Sequence, residues 1–403
     1  MTTEQQTLSR LDWVIRNTRL LTAIGDEFEA TRPFAGLRIA TGIHLEPKTA
    51  SLLLTLRRGG ATVTATGNLN STQTETTDFL AANGVTIVGH QTRDAEVHRG
   101  FIRELVAGRP DLILDNGGEL FDAYLDAPYP GLLGGTEETT SGRMRLMPVR
   151  GRLTVPIYVI NDSPIKQFAE NLHAVGQSVF ESFMRITNLS TNGKRVTVFG
   201  YGACGQGVAA NFRSANALVT VVENDPVRRL QALLDGFIVT DRAEAISSAD
   251  AIVTVTGAPS ILTVDDLPLF RDGVVLGNAG HFPWEISPEI ETAAEVTGAE
   301  AFESGLSALH LGDGRIVNLI NHGHMLNLSG PRPLGNSIES MDIGFALQAR
   351  SLEHIATGGG LRTDTLVPVP RSIDASVANA FVALRTSAAP VEGTAAALTT
   401  PVA

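Results

Sequence analysis

Val196-Thr-Val-Phe-Gly200-Tyr-Gly202-Ala-Cys204-Gly205-Gln-Gly207 decides how this chain is read. An apolar β-branched run enters a turn whose glycines stand at the G-x-G-x-x-G spacing, and a helix-compatible segment follows. A second apolar run, Leu218-Val-Thr-Val-Val222, then ends at Glu223. In this context Gly200 permits the tight turn, Gly202 lets the backbone approach a pyrophosphate, and Gly205 lets the helix pack on the strand. The helix N-terminus offers unpaired N–H groups and the positive end of its dipole to that anion. Glu223 stands close to the roughly 20-residue spacing at which a carboxylate binds ribose hydroxyls. A carboxylate there would repel a 2′-phosphate, so NAD is expected over NADP.

Working outward, a chain of 403 residues predicts two or three domains. Its hydrophobic fraction of 43% and charged fraction of 18% describe an ordinary globular protein. A net charge of −12 argues against non-specific nucleic-acid binding. The single cysteine, Cys204, excludes an intrachain disulfide and a cysteine zinc cluster, which fits a reducing cytoplasm. The start of the chain lacks the pattern of a signal peptide, and no apolar run approaches a membrane helix. A cytoplasmic location without membrane or nucleic-acid partners is expected.

Residues 1–35 read as helix, and Leu37–Thr41 as a strand running into Gly42-Ile-His44-Leu-Glu46-Pro-Lys48. Thr49–Leu56 is helical. The runs Ala61–Ala65, Gly84–Val88, Leu112–Leu114 and Val155–Ile160 repeat the strand pattern, and a helix is expected over about 172–188. Further strands fall at Gly236–Thr240, Ala251–Gly257, Gly273–His281 and Gly314–Asn318. Strands alternating with helical stretches imply βαβ units and parallel sheets, an α/β fold. In such sheets ligands sit outside the carboxyl ends of the strands, so the polar clusters following them are the candidate sites.

Each cluster has a bland alternative. Lys166 and Glu170, four apart, would share a helix face, where a surface ion pair contributes a few tenths of a kcal/mol. His44, His281 and His324 stand among glycines without metal-ligand spacing, so no metal is expected. Glu137-Glu138 is readable as solvated surface charge, and Asp115-Asn116-Gly-Gly as a turn. No nucleophile elbow is present. Local chemistry alone gives an NAD enzyme with an unspecified polar site.

The motifs taken together say more. His44-Leu-Glu-Pro-Lys-Thr-Ala50, Asn68-Leu-Asn-Ser-Thr-Gln73, Asp115-Asn-Gly-Gly118, Thr136-Glu-Glu-Thr-Thr140, Asn161-Asp-Ser-Pro-Ile-Lys166, Gly200-Tyr-Gly202, Asn278-Ala-Gly-His-Phe282 and Arg315-Ile-Val-Asn318 resemble, in order, those of S-adenosylhomocysteine hydrolases. The likeness covers nearly the whole chain and is greatest to the short archaeal and thermophile branch. It implies a Rossmann NAD-binding domain inserted in a discontinuous α/β, parallel-sheet substrate domain. The expected division is 1–171 for the first part of the substrate domain and 172–320 for the NAD domain. A variant loop and the second part of the substrate domain take 321–370, and a C-terminal segment with a mobile end takes 371–403. A homotetramer acting on a purine nucleoside, with tightly held NAD regenerated in each turnover, is implied as well.

By motif, Lys166 and Glu170 match the pair that assists oxidation of the sugar 3′-hydroxyl, and Glu138 matches an acid that binds the ribose. Asn161 and Asn171 belong to the same site. His44 and His281 match the histidines near the 5′ leaving group and water. Glu46, Lys48 and Thr49 line up with the purine-binding stretch, while Thr139, Thr140, Glu223, Asn278 and Asn318 match NAD contacts. Asn116 departs from the family's aspartate, a proposed base for the C4′ proton. Glu170 and Glu119 each replace an aspartate. The loop 321–336 is longer than its counterpart, so either His324 or Asn336 could stand at the purine, with Asn336 preferred. These departures favour a specialised nucleoside dehydratase, of the kind in angustmycin A biosynthesis, that eliminates water. A true S-adenosyl- or S-inosylhomocysteine hydrolase is the alternative, and a non-catalytic NAD-binding relative the third reading.

Overall fold

The computed structural model describes residues 9–281 and 283–386. The chain divides into two compact units: one runs up to Lys166 and resumes at Ile338, and the other is Gln167–Ser337.

The first unit is built on a seven-stranded, wholly parallel sheet. Its strands are β1 (Arg38–Gly42), β2 (Thr62–Thr66), β3 (Thr86–Ile87), β4 (Leu112–Asp115), β5 (Gly134–Glu137), β6 (Ile157–Val159) and the late strand Thr365–Pro368. The order is Thr365–Pro368, β6, β5, β4, β1, β2, β3. The winding direction reverses between β1 and β4, which makes their carboxyl ends a topological switch point, where ligand crevices form. Ile113, Leu120, Phe121, Ile157 and Val159 form part of a core cluster, each fully buried side chain contributing about 1.5–3 kcal/mol. The late segment is bound in by its strand and by Asp342. That carboxylate accepts the N–H groups of Leu20 and Leu21 at 2.8 and 2.9 Å, capping the helix Arg19–Thr31, which has no side-chain cap of its own.

The second unit holds an eight-stranded sheet: β7 (Arg195–Phe199), β8 (Leu218–Val222), β9 (Ile238–Val239), β10 (Ala251–Thr254), β11 (Val274–Asn278), β12 (Val296–Ala301), β13 (Leu306–Leu311) and β14 (Ile316–Ile320). The order β9-β8-β7-β10-β11-β14 is parallel and is that of a Rossmann fold; β13 and β12 extend it antiparallel. Neighbouring residues of one strand enter different cores, Ile252 one and Val253 the other, as in a parallel sheet covered on both faces.

Three local expectations are corrected. The helix expected over residues 1–35 is two, Arg10–Asn17 and Arg19–Thr31, parted at Thr18; residues 1–8 lie outside the described residues. The helix expected from 172 begins at Lys166, as a π-helix (Lys166–Val175) that continues as the α-helix Gly176–Thr187. The antiparallel strands β12 and β13 are not among the expected strands: β12 is exposed along nearly its whole length, and β13 lacks the β-branched run that marks the others. Of the C-terminal segment expected at 371–403, Arg371–Thr386 forms a helix, and its expected mobile end from residue 387 lies outside the described residues. The helix Ala203–Ser214 crosses Gly176–Thr187 at glycines: a Cβ on Gly207 would lie 1.8 Å from the Leu172 carbonyl oxygen, and one on Gly176 2.4 Å from the Gly207 carbonyl carbon.

Candidate active site

The loops leaving β1, β2, β4 and β5 converge on one buried polar cluster in the first unit. Asn116 is the first residue after β4 and Glu138 the first after β5. Glu138 is 3% exposed and Asn116 6%. The Asn116 amide nitrogen donates to Glu138 Oε2 at 2.7 Å, and its Oδ1 accepts from Asn68 Nδ2 at 2.9 Å. Asn68 Nδ2 also reaches the Asn116 carbonyl at 3.0 Å. Because a carboxylate only accepts, the amide nitrogen must face Glu138, and both ends of the Asn116 side chain are committed. Lys166 Nζ, 4% exposed, donates to the other oxygen, Glu138 Oε1, at 3.0 Å. Burial alone would raise the Glu138 pKa. The Lys166 charge and the hydrogen bonds from Asn116 and Lys166 outweigh it, so the carboxyl is held below its usual range.

Glu137, adjacent in sequence, does different work. On the extended strand its side chain leaves the opposite face. It accepts the N–H groups of Gly117 at 3.1 Å, Gly118 at 2.9 Å and Thr139 at 2.7 Å, and the Thr139 hydroxyl at 2.7 Å. Glu137 thus ties the Asn116-Gly-Gly turn to the start of the helix Thr140–Leu146, which Thr139 caps through the N–H of Gly142. Asp115 stands beside it at the same register. Burial and then mutual repulsion push the Glu137 carboxyl up, and burial pushes Asp115 up to about 7.

The other candidates of this unit are accounted for as follows. Lys48 Nζ pairs with Glu46 Oε2 at 2.7 Å, both buried, and Thr49 Oγ1 donates to the His44 carbonyl at 2.6 Å. His44, after β1, meets Ser71 Oγ through Nδ1 at 2.7 Å. Asn161 is buried in the turn after β6. Glu119 is held by His98 Nε2 at 2.7 Å and Arg145 at 3.4 Å. Burial would raise its pKa, and the hydrogen bond with His98 and the Arg145 charge hold it low instead. Asn68, Ser71, Glu137, His98 and Arg145 were not singled out as site residues from sequence. The first two were findable, since they sit in the polar loop leaving β2; His98 and Arg145 lie on helices with no local signal.

In the second unit the glycine turn follows β7 at the β7/β10 switch point. Gly200 adopts φ +99°, and a Cβ there would lie 2.7 Å from the Val255 carbonyl oxygen. A Cβ on Gly205 would lie 2.1 Å from the Gly200 carbonyl oxygen, whereas one on Gly202 would meet only the tip of Arg228, at 3.4 Å. Gly202 is also the N-cap of Ala203–Ser214 and brings no capping side chain, so the first turn of the helix is open to an anion. Glu223 closes the edge, accepting the N–H groups of Tyr201 at 2.7 Å and Asp225 at 2.9 Å. These features fit a dinucleotide: a cradle a side chain would fill, an uncapped helix start and a carboxylate for ribose.

Asn278 ends β11 and is fully buried; its Oδ1 accepts from the Gly280 N–H and its Nδ2 donates to the Gly323 carbonyl. His281 and His324 are half-buried in loops of this unit. Asn336 Oδ1 accepts from Ser178 Oγ at 2.9 Å. Glu170 and Asn171, four and five residues after Lys166, share its face of the π-helix, whose hydrogen bonds span five residues. Asn318 is not brought to the glycine turn: it pairs in register with Val275, toward the opposite end of β11, and its amide donates to the Gly273 carbonyl at 3.2 Å. Its spacing in the sequence could not show which end of the strand it occupies. Cys204, in the first turn of Ala203–Ser214, is half-buried. Among the described residues no group of three or more His, Cys, Asp or Glu side chains is arranged to hold a metal, and no helix is long and apolar enough to cross a membrane.

A switch-point cluster of buried carboxylate, amide and lysine in one unit, with a dinucleotide turn in the other, defines an NAD-dependent enzyme class. Residues 171–332 match the family described as "S-adenosyl-L-homocysteine hydrolase, NAD binding domain", and residues 15–129 match "S-adenosyl-L-homocysteine hydrolase". The chain is 38% identical to the adenosylhomocysteinase of Thermococcus kodakarensis, over 92% of this chain and 88% of that one. It is 35% identical to that of Thermotoga maritima, over 92% of each. The S-inosyl-L-homocysteine hydrolase of Methanothermobacter thermautotrophicus is 36% identical, over 86% of this chain and 84% of that one. This chain belongs to the S-adenosyl-L-homocysteine hydrolase family, and its cofactor is NAD.

Proposed function

We propose that this protein cleaves the thioether of an S-nucleosidylhomocysteine, with adenine or hypoxanthine as the base. The observation that carries this reading is the Lys166–Glu138–Asn116 line of buried hydrogen bonds, joined to relatives whose names are those of thioether hydrolases. Gly200, Gly202, Gly205 and Glu223 would hold NAD, which would supply a reversible two-electron acceptor for the sugar 3′ carbon. Glu138, kept ionised by Lys166, accepts a ribose hydroxyl. Lys166 Nζ, once it has given up the proton of that resting pair, takes the 3′-hydroxyl proton, and Glu170 and Asn171 on the same helix face orient that oxygen. The resulting ketone acidifies C4′–H, so the 5′ substituent leaves by β-elimination and water adds in its place. Glu46, Lys48 and Thr49 face the base, and His44 and His281 serve the 5′ group. Net redox change is nil.

A second reading, loss of water from a hydroxymethyl nucleoside, is favoured by one observation: Asn116 stands where the family pattern has an aspartate, and both ends of its amide are committed. Incubation with S-adenosylhomocysteine, S-inosylhomocysteine and a hydroxymethyl purine nucleoside, with products followed by mass, separates the two. Homocysteine release at about 1 s⁻¹ or faster is expected; loss of water without thiol release would replace the hydrolase reading.

A further inference from the structure

Elimination requires an acceptor for the C4′ proton, and Asn116, whose amide donates to Glu138 and accepts from Asn68, offers none. The loop after β2 supplies the missing element. Ser71 Oγ carries one hydrogen and has two neighbours: the Asn68 carbonyl oxygen at 2.9 Å and His44 Nδ1 at 2.7 Å. Given to the Asn68 carbonyl, which also takes the Ser71 N–H at 3.1 Å, the Ser71 hydrogen leaves the hydroxyl oxygen to accept toward His44. Nδ1 then bears the ring proton, and the lone pair of the neutral imidazole is on Nε2. Asn68 is itself fixed by its two bonds to Asn116. The lock on His44 is therefore continuous with the Asn116–Glu138–Lys166 line.

We propose that Ser71 is a positioning residue that holds His44 in the Nδ1–H tautomer, so that His44 Nε2 accepts the C4′ proton that Asn116 cannot take. The proposal rests on the elimination chemistry given above. The C4′–H bond breaks, its electron pair forms the C4′=C5′ double bond, and the proton moves to Nε2. The C5′–S bond breaks, sulfur leaves with the C5′–S bonding pair, and it takes the proton from Nε2–H. The ring ends neutral, with no outside acid or base. Glu138 feels the charge of a protonated His44 and stabilises the imidazolium between the two transfers.

Two measurements on the NAD-loaded protein test this. The first needs no turnover: ¹⁵N-labelled histidine spectra, with the His44 signal identified by its loss in His44→Asn. The expected ring is Nδ1–H in the wild type and shifts toward Nε2–H in Ser71→Ala, with Ser71→Thr restoring it. The second follows, with adenosine in D₂O, both reduction of the bound NAD and deuterium wash-in at C4′. Ser71→Ala is expected to reduce NAD normally, to keep its KM, and to slow wash-in by about 10²–10⁴-fold, the range that a positioned base contributes. Ser71→Thr should recover the rate. An Nε2–H ring in the wild type, or wild-type wash-in in Ser71→Ala, overturns the proposal. Wild-type protein that neither reduces NAD nor exchanges C4′ with adenosine or inosine overturns the elimination reading instead, and the spectra then judge the Ser71 lock alone.

Discussion

At the turn after β7, atoms are placed by what cannot fit: a methyl on Gly205 would run into the Gly200 carbonyl oxygen at 2.1 Å. At the loops after β1, β2, β4 and β5, atoms are placed by charges that must be answered: Glu138 by Lys166 and Asn116, Glu137 by three backbone N–H groups and a hydroxyl. The first kind of site is local, steric and indifferent to pH. The second is assembled from four loops, electrostatic and sensitive to every proton. One fold motif serves both, since each site lies at the carboxyl edge of a parallel sheet where the winding reverses.

The contrast is sharpest in Lys166→Ala. It removes the proton acceptor and leaves Glu138 a buried, half-answered charge, so reduction of bound NAD by the nucleoside should fall about 10²–10⁴-fold, read as nicotinamide absorbance in single turnovers. Unchanged reduction would break the electrostatic half of the comparison. Next come the glycines. Gly205→Ala should lower stability by about 1–3 kcal/mol through overpacking, while Gly202→Ala, whose methyl meets only a flexible arginine tip, should leave the urea midpoint unchanged yet weaken NAD binding. Equal midpoint losses for the two would show that close approach is not what distinguishes them.

Asn116→Asp tests the charge logic directly. It sets a second carboxylate beside Glu138 Oε2, the two would share a proton, and the acid limb of kcat/KM against pH should move upward by about one unit or more. A profile that does not move would remove Asn116 from the titrating site. The smallest effect belongs to Asp115. Burial holds this carboxyl and Glu137 above their ordinary values, so the folded chain binds more protons than the unfolded one between about pH 4 and about pH 7. Stability therefore falls as pH rises across that window. Asp115→Asn should flatten the fall by on the order of 1 kcal/mol, measured as urea midpoints at about pH 5 and about pH 8.

The same contrast explains what the sequence disclosed. The glycine turn and Glu223 are a contiguous strand–turn–helix–strand signal, so cofactor and fold were legible without coordinates. The polar loops were flagged because they follow strands, but nothing local separates Glu137 from Glu138; only the alternation of side chains along β5 sends one to the backbone of two turns and the other to Lys166. Asn318 reads correctly as a strand residue, but its place opposite Val275 was not legible, because register is a long-range property. Glu119 reads as a variant site acid, and its partners His98 and Arg145 show a residue engaged in holding helices.

The glycine crossing between Gly176–Thr187 and Ala203–Ser214 carries a mechanical consequence. With Gly207 facing the Leu172 carbonyl and Gly176 in backbone contact, no side chain separates the helices at their crossing, and further along Phe180 and Phe183 pack edge-on against Phe212. The segment bearing Glu170 and Asn171 and the helix that starts at the cofactor turn therefore form one stiff bracket. At the crossing, the offset from those two side chains to the dinucleotide end is set by backbone dimensions rather than by the adjustable lengths of side chains.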